Sequence, residues 1–203
     1  MKRPSRVIRS WSPLVASEQA ATDTFWLEFD APEIASQAAP GQFVMVGFGA
    51  HAWGIPFLPR PNSVASTRDG KVGLLVRVYG EGSRRITTLK PGERALLLGP
   101  LGNRFQLGDA RKILCVAGGV GLAPFLMLPD WASRGAPTAD LRLLYGERVG
   151  GAVFAPGLIR GLAGLDAQIY TEDGSVGRRG RVTDGIDLDG VDLVLTCGPT
   201  PML

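Results

Sequence analysis

An unbroken apolar run, Ile113-Leu114-Cys115-Val116-Ala117, passes directly into Gly118-Gly119-Val120-Gly121-Leu122-Ala123-Pro124. No other feature constrains the fold of this chain as strongly. A strand with no polar face must be covered on both sides, as happens in the parallel sheet of an α/β domain. A glycine turn at its carboxyl end leaves backbone N–H groups bare where a helix starts, and those groups with the helix dipole suit a pyrophosphate. Gly119 and Gly121 permit a close backbone approach. The spacing is G-x-G-x-x-P rather than G-x-G-x-x-G. A plain tight turn between strand and helix uses the same residues, so this motif alone leaves both readings open.

The remainder of the second half repeats the pattern. Residues 123–133 have the length of a helix, with Pro124 suited to its first turn. Apolar strand-like runs recur at 141–145, 168–171 and 191–197, separated by helix-length segments. That alternation predicts a doubly wound α/β domain with a parallel sheet. Cys197-Gly198-Pro199 ends the last run, and Glu172-Asp173-Gly174 ends the third. The carboxyl ends of parallel strands share one edge, where ligands bind, so both turns are expected beside the first glycine turn. Carboxylates of Glu172 and Asp173 suit ribose hydroxyls; a solvated turn accounts for them equally well.

The first half reads differently. Strand-like runs at 6–11, 24–29, 42–48, 60–66, 71–79 and 95–98 are separated by turn signals such as Asp30-Ala31-Pro32, Pro40-Gly41, Asp69-Gly70 and Lys90-Pro91-Gly92. Short strands with such turns predict a small antiparallel barrel. The character changes near Gly108-Asp109, which gives two domains, 1–107 and 108–203. In the barrel, Arg60-Pro61-Asn62-Ser63 combines a phosphate clamp with a hydroxyl. A strict strand sets Arg60 and Ser63 on opposite faces, and a kink at Pro61 lets both reach one ligand. Gly80-Glu81-Gly82-Ser83 offers N–H groups and a hydroxyl in the manner of an anion nest.

Bulk composition narrows the classes. The 203 residues carry a formal charge of +3 and are 45% hydrophobic and 20% charged, an ordinary globular balance. That balance, without a dense basic run, argues against a nucleic-acid partner. No apolar stretch reaches the ~20 residues of a membrane helix. The basic start (Lys2, Arg3, Arg6, Arg9) lacks the apolar core of a signal peptide, so a cytoplasmic location without membrane attachment is expected. The single histidine, His51, sits in a loop-like stretch without acidic neighbours, which argues against a metal site. The two cysteines, Cys115 and Cys197, supply neither a disulfide framework nor the four thiolates of an ordinary iron–sulfur cluster.

The order of motifs resembles the ferredoxin–NADP reductase superfamily, an N-terminal flavin-binding β-barrel followed by a nicotinamide-nucleotide domain. The resemblance is closest to the electron-transfer subunit of class B dihydroorotate dehydrogenase. Seven motifs carry it, covering 40–44, 60–64, 80–83, 98–103, 117–124, 172–177 and 197–199. The resemblance implies FAD on the barrel, with Arg60, Pro61, Asn62 and Ser63 lining the isoalloxazine and flavin phosphate. It implies Leu75, Val76 and Arg77 beside the flavin through their backbone, and Gly82 and Ser83 around the pyrophosphate. It implies NAD on the second domain, held by Gly118, Gly119, Gly121, Ala123 and Pro124, with Glu172 and Asp173 near a ribose and Cys197, Gly198 and Pro199 near the nicotinamide. No side chain then need act as acid, base or nucleophile, because the cofactor supplies the chemistry. The implied partner is a dihydroorotate dehydrogenase catalytic subunit, in a hetero-oligomer serving pyrimidine biosynthesis. Glu147 and Arg148, after the second strand, pull in opposite directions on a 2′-phosphate, and the family resemblance favours NAD.

Two departures stand beside the likeness. The family's subunit carries a [2Fe–2S] cluster on a cysteine-rich tail after C-G-P, whereas this sequence ends at Pro201-Met202-Leu203 without those cysteines. A last helix after C-G-P is missing as well. The sequence is then either truncated or a form that has lost the cluster. Asn62 stands where an apolar or aromatic residue is common. Two alternatives remain open: a stand-alone flavin or ferredoxin reductase on the same fold, and a scaffold subunit that keeps the fold without its cofactors.

Overall fold

The computed structural model describes residues 6–48, 58–132, 139–154 and 165–203; His51 and Ser133 lie outside them. The chain divides into two compact units, Met1–Arg104 and Phe105–Leu203.

The first unit is a closed antiparallel barrel. Its strands are β1 (Ile8–Ala21), β2 (Thr24–Asp30), β3 (Phe43–Gly47), β4 (Arg60–Ser66), β5 (Lys71–Arg77) and β6 (Arg94–Leu101), in the order β1-β2-β5-β4-β3-β6. Closure leaves no unpaired edge. Alternate residues point inward: Leu27, Phe29, Val44, Val46, Val72, Leu74 and Leu97 are all buried. A short helix α1 (Pro32–Ala35) seats Ile34 in the same core. Helix α2 (Glu81–Thr87) follows β5 and contributes the buried Ile86.

β1 runs far beyond the 6–11 expected from sequence. It pairs with β6 over Ile8 to Pro13 and then with β2 from Leu14 onward, with a register shift between Leu14 and Ala16. Pro13 stands where the strand changes partners, so a residue that ordinarily ends a strand is accommodated there.

The second unit is a parallel sheet with the order β10-β9-β8-β7-β11. Its strands are β7 (Lys112–Gly118), β8 (Asp140–Glu147), β9 (Asp166–Thr171), β10 (Arg178–Arg179) and β11 (Leu193–Cys197). β7 is buried from Ile113 to Gly118, as a strand covered on both faces must be. On one face Leu114, Val116, Leu144, Tyr170 and Val182 form a cluster. On β8, Tyr145 stacks on Phe154 with ring centroids 5.4 Å apart.

The helix expected over 123–133 is not continuous. Gly119–Phe125 winds as a 3-10 turn and only Leu128–Ala132 (α3) is α-helical. The glycine turn begins the winding five residues before Pro124, so the proline falls inside it and removes an interior N–H donor. Pro129 is then placed in the first turn of α3, where a missing donor is harmless. Directly behind the glycine turn, among the described residues, the winding is thus not an α-helical start. The turn offers backbone groups instead.

Candidate functional site

On the barrel the key feature is where β4 and β5 part. Their ladder consists of Val64↔Leu74 and Ser66↔Gly73. Beyond Leu74, β5 stays paired with β2 through Arg77↔Thr24, while β4 from Ser63 to Arg60 pairs with β3. No ladder pair joins 60–63 to 75–77. The residues singled out by sequence sit on these two segments.

Strand β4 is continuous through Pro61, which pairs with Met45. No kink turns Arg60 and Ser63 to one side. Arg60 lies opposite Val46 and Asn62 opposite Val44, so these two share a face, and Pro61 and Ser63 share the other. The Asn62 amide donates to the Arg60 carbonyl at 2.9 Å. Leu75 and Val76 are buried, and the Arg77 guanidinium is held by the Thr24 hydroxyl at 3.0 Å and the Asp23 carboxylate at 3.3 Å. Their side chains are thus occupied within the barrel.

Arg60 reaches across to the start of α2. A β-carbon built on Gly82 would lie 2.5 Å from Arg60 Nε and 3.1 Å from its Cζ. A side chain at this position would have to displace the guanidinium from where it lies. Arg60 Nη1 donates to the Leu58 carbonyl at 3.0 Å, one use of a group with five donors. The Ser83 hydroxyl is engaged within its own turn: it accepts from the N–H groups of Tyr79 (2.8 Å) and Gly80 (3.1 Å) and donates to the Gly80 carbonyl (3.0 Å). Its contribution is to shape the turn, and the guanidinium supplies the positive charge. The guanidinium of Arg60 over Gly82 places one positive charge beside the start of α2.

On the parallel sheet the carboxyl edge carries the second site. β8 lies on one side of β7 and β11 on the other, so the strand order reverses at β7. Such a switch point opens a crevice for ligands beyond the strand ends. β11 pairs with β7 in register from Leu193↔Ile113 to Cys197↔Ala117, which brings the two turns side by side. A β-carbon on Gly121 would collide with the Cys197 carbonyl and come within 2.9 Å of the Gly198 nitrogen. One built on Gly198 would lie 3.2 Å from Gly118 Cα. Gly119 has φ of +60°, the left-handed region that glycine tolerates. Met202 and Pro199 fill the space beside Gly118. Sequence spacing does not reveal the Met202 contact.

Glu172 and Asp173 follow β9 at this same edge and are exposed. Their N–H groups donate to the carbonyls of Glu147 (3.2 Å) and Arg148 (3.3 Å), which prolongs the pairing past both strands. Asp173 Oδ1 accepts from Ser175 Oγ at 2.6 Å and from the Ser175 N–H at 3.0 Å. These bonds hold the Asp173 carboxyl below the usual carboxylate range. Glu147 is buried and accepts from the Tyr145 hydroxyl at 2.8 Å. Arg148 is exposed. A shallow recess lined by Leu107, Asp109, Arg111 and Asp192 lies at the opposite, amino edge of the sheet, away from these residues.

The two thiols differ. Burial pushes the Cys115 thiol up to about 12 and raises Cys197 as well. Cys115 is a core residue of β7, whereas Cys197 is half-buried at the edge. Among the described residues no three His, Cys, Asp or Glu side chains gather to hold a metal ion. A cluster needing four thiolates does not fit a chain with two cysteines.

A barrel of this topology followed by a parallel sheet with a glycine-lined switch point is the architecture of ferredoxin reductase-type flavoenzymes. Solved structures agree. The NADH-dependent reduced ferredoxin–NADP oxidoreductase of flavin-based electron bifurcation superposes with a TM-score of 0.77 at 25% identity, over 95% of this chain and 69% of that one. The ferredoxin reductase of carbazole 1,9a-dioxygenase gives 0.79 at 23% identity, over 97% and 63%, and supports the fold. No family model matches the sequence.

Curated relatives narrow the assignment. The electron transfer subunit of dihydroorotate dehydrogenase B (NAD(+)) from Desulforamulus reducens is 33% identical over 197 residues, 94% of this chain and 73% of that protein. Its counterpart from Geobacillus thermodenitrificans is 33% identical over 198 residues, 94% and 74%. That from Caldanaerobacter subterraneus subsp. tengcongensis is 35% identical over 166 residues, 81% of this chain but 62% of the relative's length. This chain belongs to the family of dihydroorotate dehydrogenase B electron transfer subunits.

Proposed function

We propose that this chain holds FAD between β4 and β5 and NAD on the carboxyl edge of the parallel sheet, and passes electrons between NAD and a dihydroorotate-oxidising catalytic subunit. The two domains of this reading are 1–107 for FAD and 108–203 for NAD. The meeting of the Gly118–Gly121 and Cys197–Gly198 turns at the switch point carries the reading. Two backbones brought this close at the end of a parallel sheet form a floor of peptide groups without side chains, which suits a pyrophosphate. When bound, FAD accepts a hydride and releases its electrons one at a time.

The chain's own residues bind and orient. Arg60 neutralises flavin phosphate above Gly82; Leu75, Val76 and Arg77 offer backbone groups to the ring system; Pro61, Asn62 and Ser63 line the opposite wall. Ala123 and Pro124 fix the glycine turn, while Cys197 and Pro199 border the nicotinamide. Glu147 and the exposed Arg148 act in opposite senses on a 2′-phosphate, and the relatives named for NAD(+) support NAD. The expected setting is cytoplasmic pyrimidine biosynthesis, in a hetero-oligomer with the catalytic subunit. Among the described residues no helix is long and apolar enough to cross a membrane.

The likeness to solved reductases of the same fold supports a second reading, a stand-alone NAD(P)H-dependent flavin or ferredoxin reductase. Mixing the flavin-loaded chain with a dihydroorotate-oxidising subunit separates the two. Electron flow from dihydroorotate to NAD supports the subunit reading. Turnover of NADH with a soluble dye, without coupling to dihydroorotate, supports the reductase.

A further inference from the structure

Beyond the carboxyl ends of β8 and β9, two loops are tied by one hydroxyl. The Gly150 N–H donates to Ser175 Oγ at 2.7 Å, and Ser175 Oγ donates to Asp173 Oδ1 at 2.6 Å. Each bond polarises the next, and the carboxylate at the end strengthens both. The turn holding Ser175 is itself fixed. Thr171 Oγ1 donates to the Val176 carbonyl at 2.7 Å and accepts from the Val176 N–H at 3.1 Å. Gly174 and Gly177 take φ of +73° and +70° on either side. Gly150 fits the arrangement independently. A β-carbon there would lie 2.7 Å from Ser175 Oγ and 2.7 Å from Val176 Cγ2.

The clasp's position gives it a purpose. A pyrophosphate on the β7 turn sends the two arms of a dinucleotide in opposite directions along the sheet edge. One arm ends at Cys197 on β11. The other passes over β8 toward β9, about 10 Å from β7 at two strand spacings. That is where the loops at 148–150 and 171–176 are tied together.

We propose that Ser175 is a positioning residue for the nucleotide: its hydroxyl locks residues 148–150 against the 171–176 turn, and the locked loops form the shelf that orients the adenosine arm. Asp173 anchors this lock from within the protein. The proposal rests on the reading of this sheet edge as a nucleotide site, and it separates the two arms. Loosening the shelf weakens ligands that possess an adenosine arm and leaves those that lack it.

The full flavin-loaded chain and its S175A, S175T and G150A variants test this with two probes, NADH and reduced nicotinamide mononucleotide. For S175A and G150A the expected result is an NADH Kd raised about fivefold, the scale of one hydrogen bond, with kcat retained. The Kd for the mononucleotide is unchanged in both, and S175T restores NADH binding by restoring the hydroxyl. Ser175 is exposed, so S175A is expected to keep a near-unchanged thermal midpoint, and its lost binding is then not lost folding. S175A binding NADH as tightly as the unmodified chain, or losing both probes equally, refutes the clasp alone. An unmodified chain that binds neither probe overturns the nucleotide reading and the clasp with it.

Discussion

Gly121 lies against the carbonyl of Cys197 so closely that no β-carbon fits between them. These residues come from different strands, 76 positions apart by their numbering, and their turns meet only because β11 pairs with β7 in register. The contact joins the two glycine motifs into one floor.

Gly121→Ala tests this floor directly. The added methyl must push the turns apart, and overpacking of this kind costs about 1–3 kcal/mol. Chemical denaturation reads that loss. The expected companion result is a chain that still binds flavin but is reduced far more slowly by NADH, because the barrel is untouched. Wild-type reduction rates in the variant contradict the assignment of the floor to the nucleotide.

Arg60 over Gly82 makes a separate prediction for flavin. Hydrogen bonds to a charged group contribute about 1.5–3 kcal/mol, so Arg60→Ala is expected to raise the flavin Kd about 10- to 100-fold. Arg60→Lys recovers part of this, since an ammonium supplies charge without the planar fork. Flavin content after gel filtration is the measurement. Full occupancy in Arg60→Ala removes the arginine from the site.

The thiols give a test by reactivity. The thiolate is the reacting form, and burial pushes Cys115 up to about 12, so it stays protonated at pH 8. Cys197 is also raised by burial but sits half-buried at the crevice. A disulfide reagent is expected to label Cys197 slowly in the folded chain and Cys115 only after unfolding. Added NAD is expected to slow Cys197 further by covering it. Equal labelling of both cysteines in the native chain contradicts the burial of β7.

Asp192 sets a pH dependence of stability. Its Oδ2 accepts the N–H groups of Lys112 and Arg111, both at 2.9 Å, and these bonds lower its carboxyl from the ordinary range. A carboxyl lowered in the folded chain contributes stability above its unfolded pKa of about 3.9 and loses it as pH falls through the folded value. Asp192→Ala is therefore expected to melt below the unmodified chain at neutral pH, with the gap closing in acid. A gap that stays constant from neutral pH to strong acid contradicts the role of the ionised form.

Much of this was legible in the chain itself. The apolar run at 113–117 could be covered on both faces only in a parallel sheet, and it is. The turn signals at Asp30, Pro40 and Lys90 separate barrel strands where expected. What spacing hid was long-range. Gly150 and Ser175 meet only because β8 and β9 pair, and Arg60 meets Gly82 only because the barrel closes. Local rules also misled where tertiary pairing overrode them. Pro13 sits within a strand, Pro124 sits inside a 3-10 turn, and Pro61 stays in a continuous strand.

The most direct measurement is an anaerobic titration of the FAD-loaded chain with NADH, followed in the visible flavin band. The account predicts that flavin is retained through desalting and bleaches in proportion to the NADH added, with NADPH acting only at much higher concentration. A chain that retains no flavin, or whose bound flavin keeps its colour in excess NADH, contradicts it.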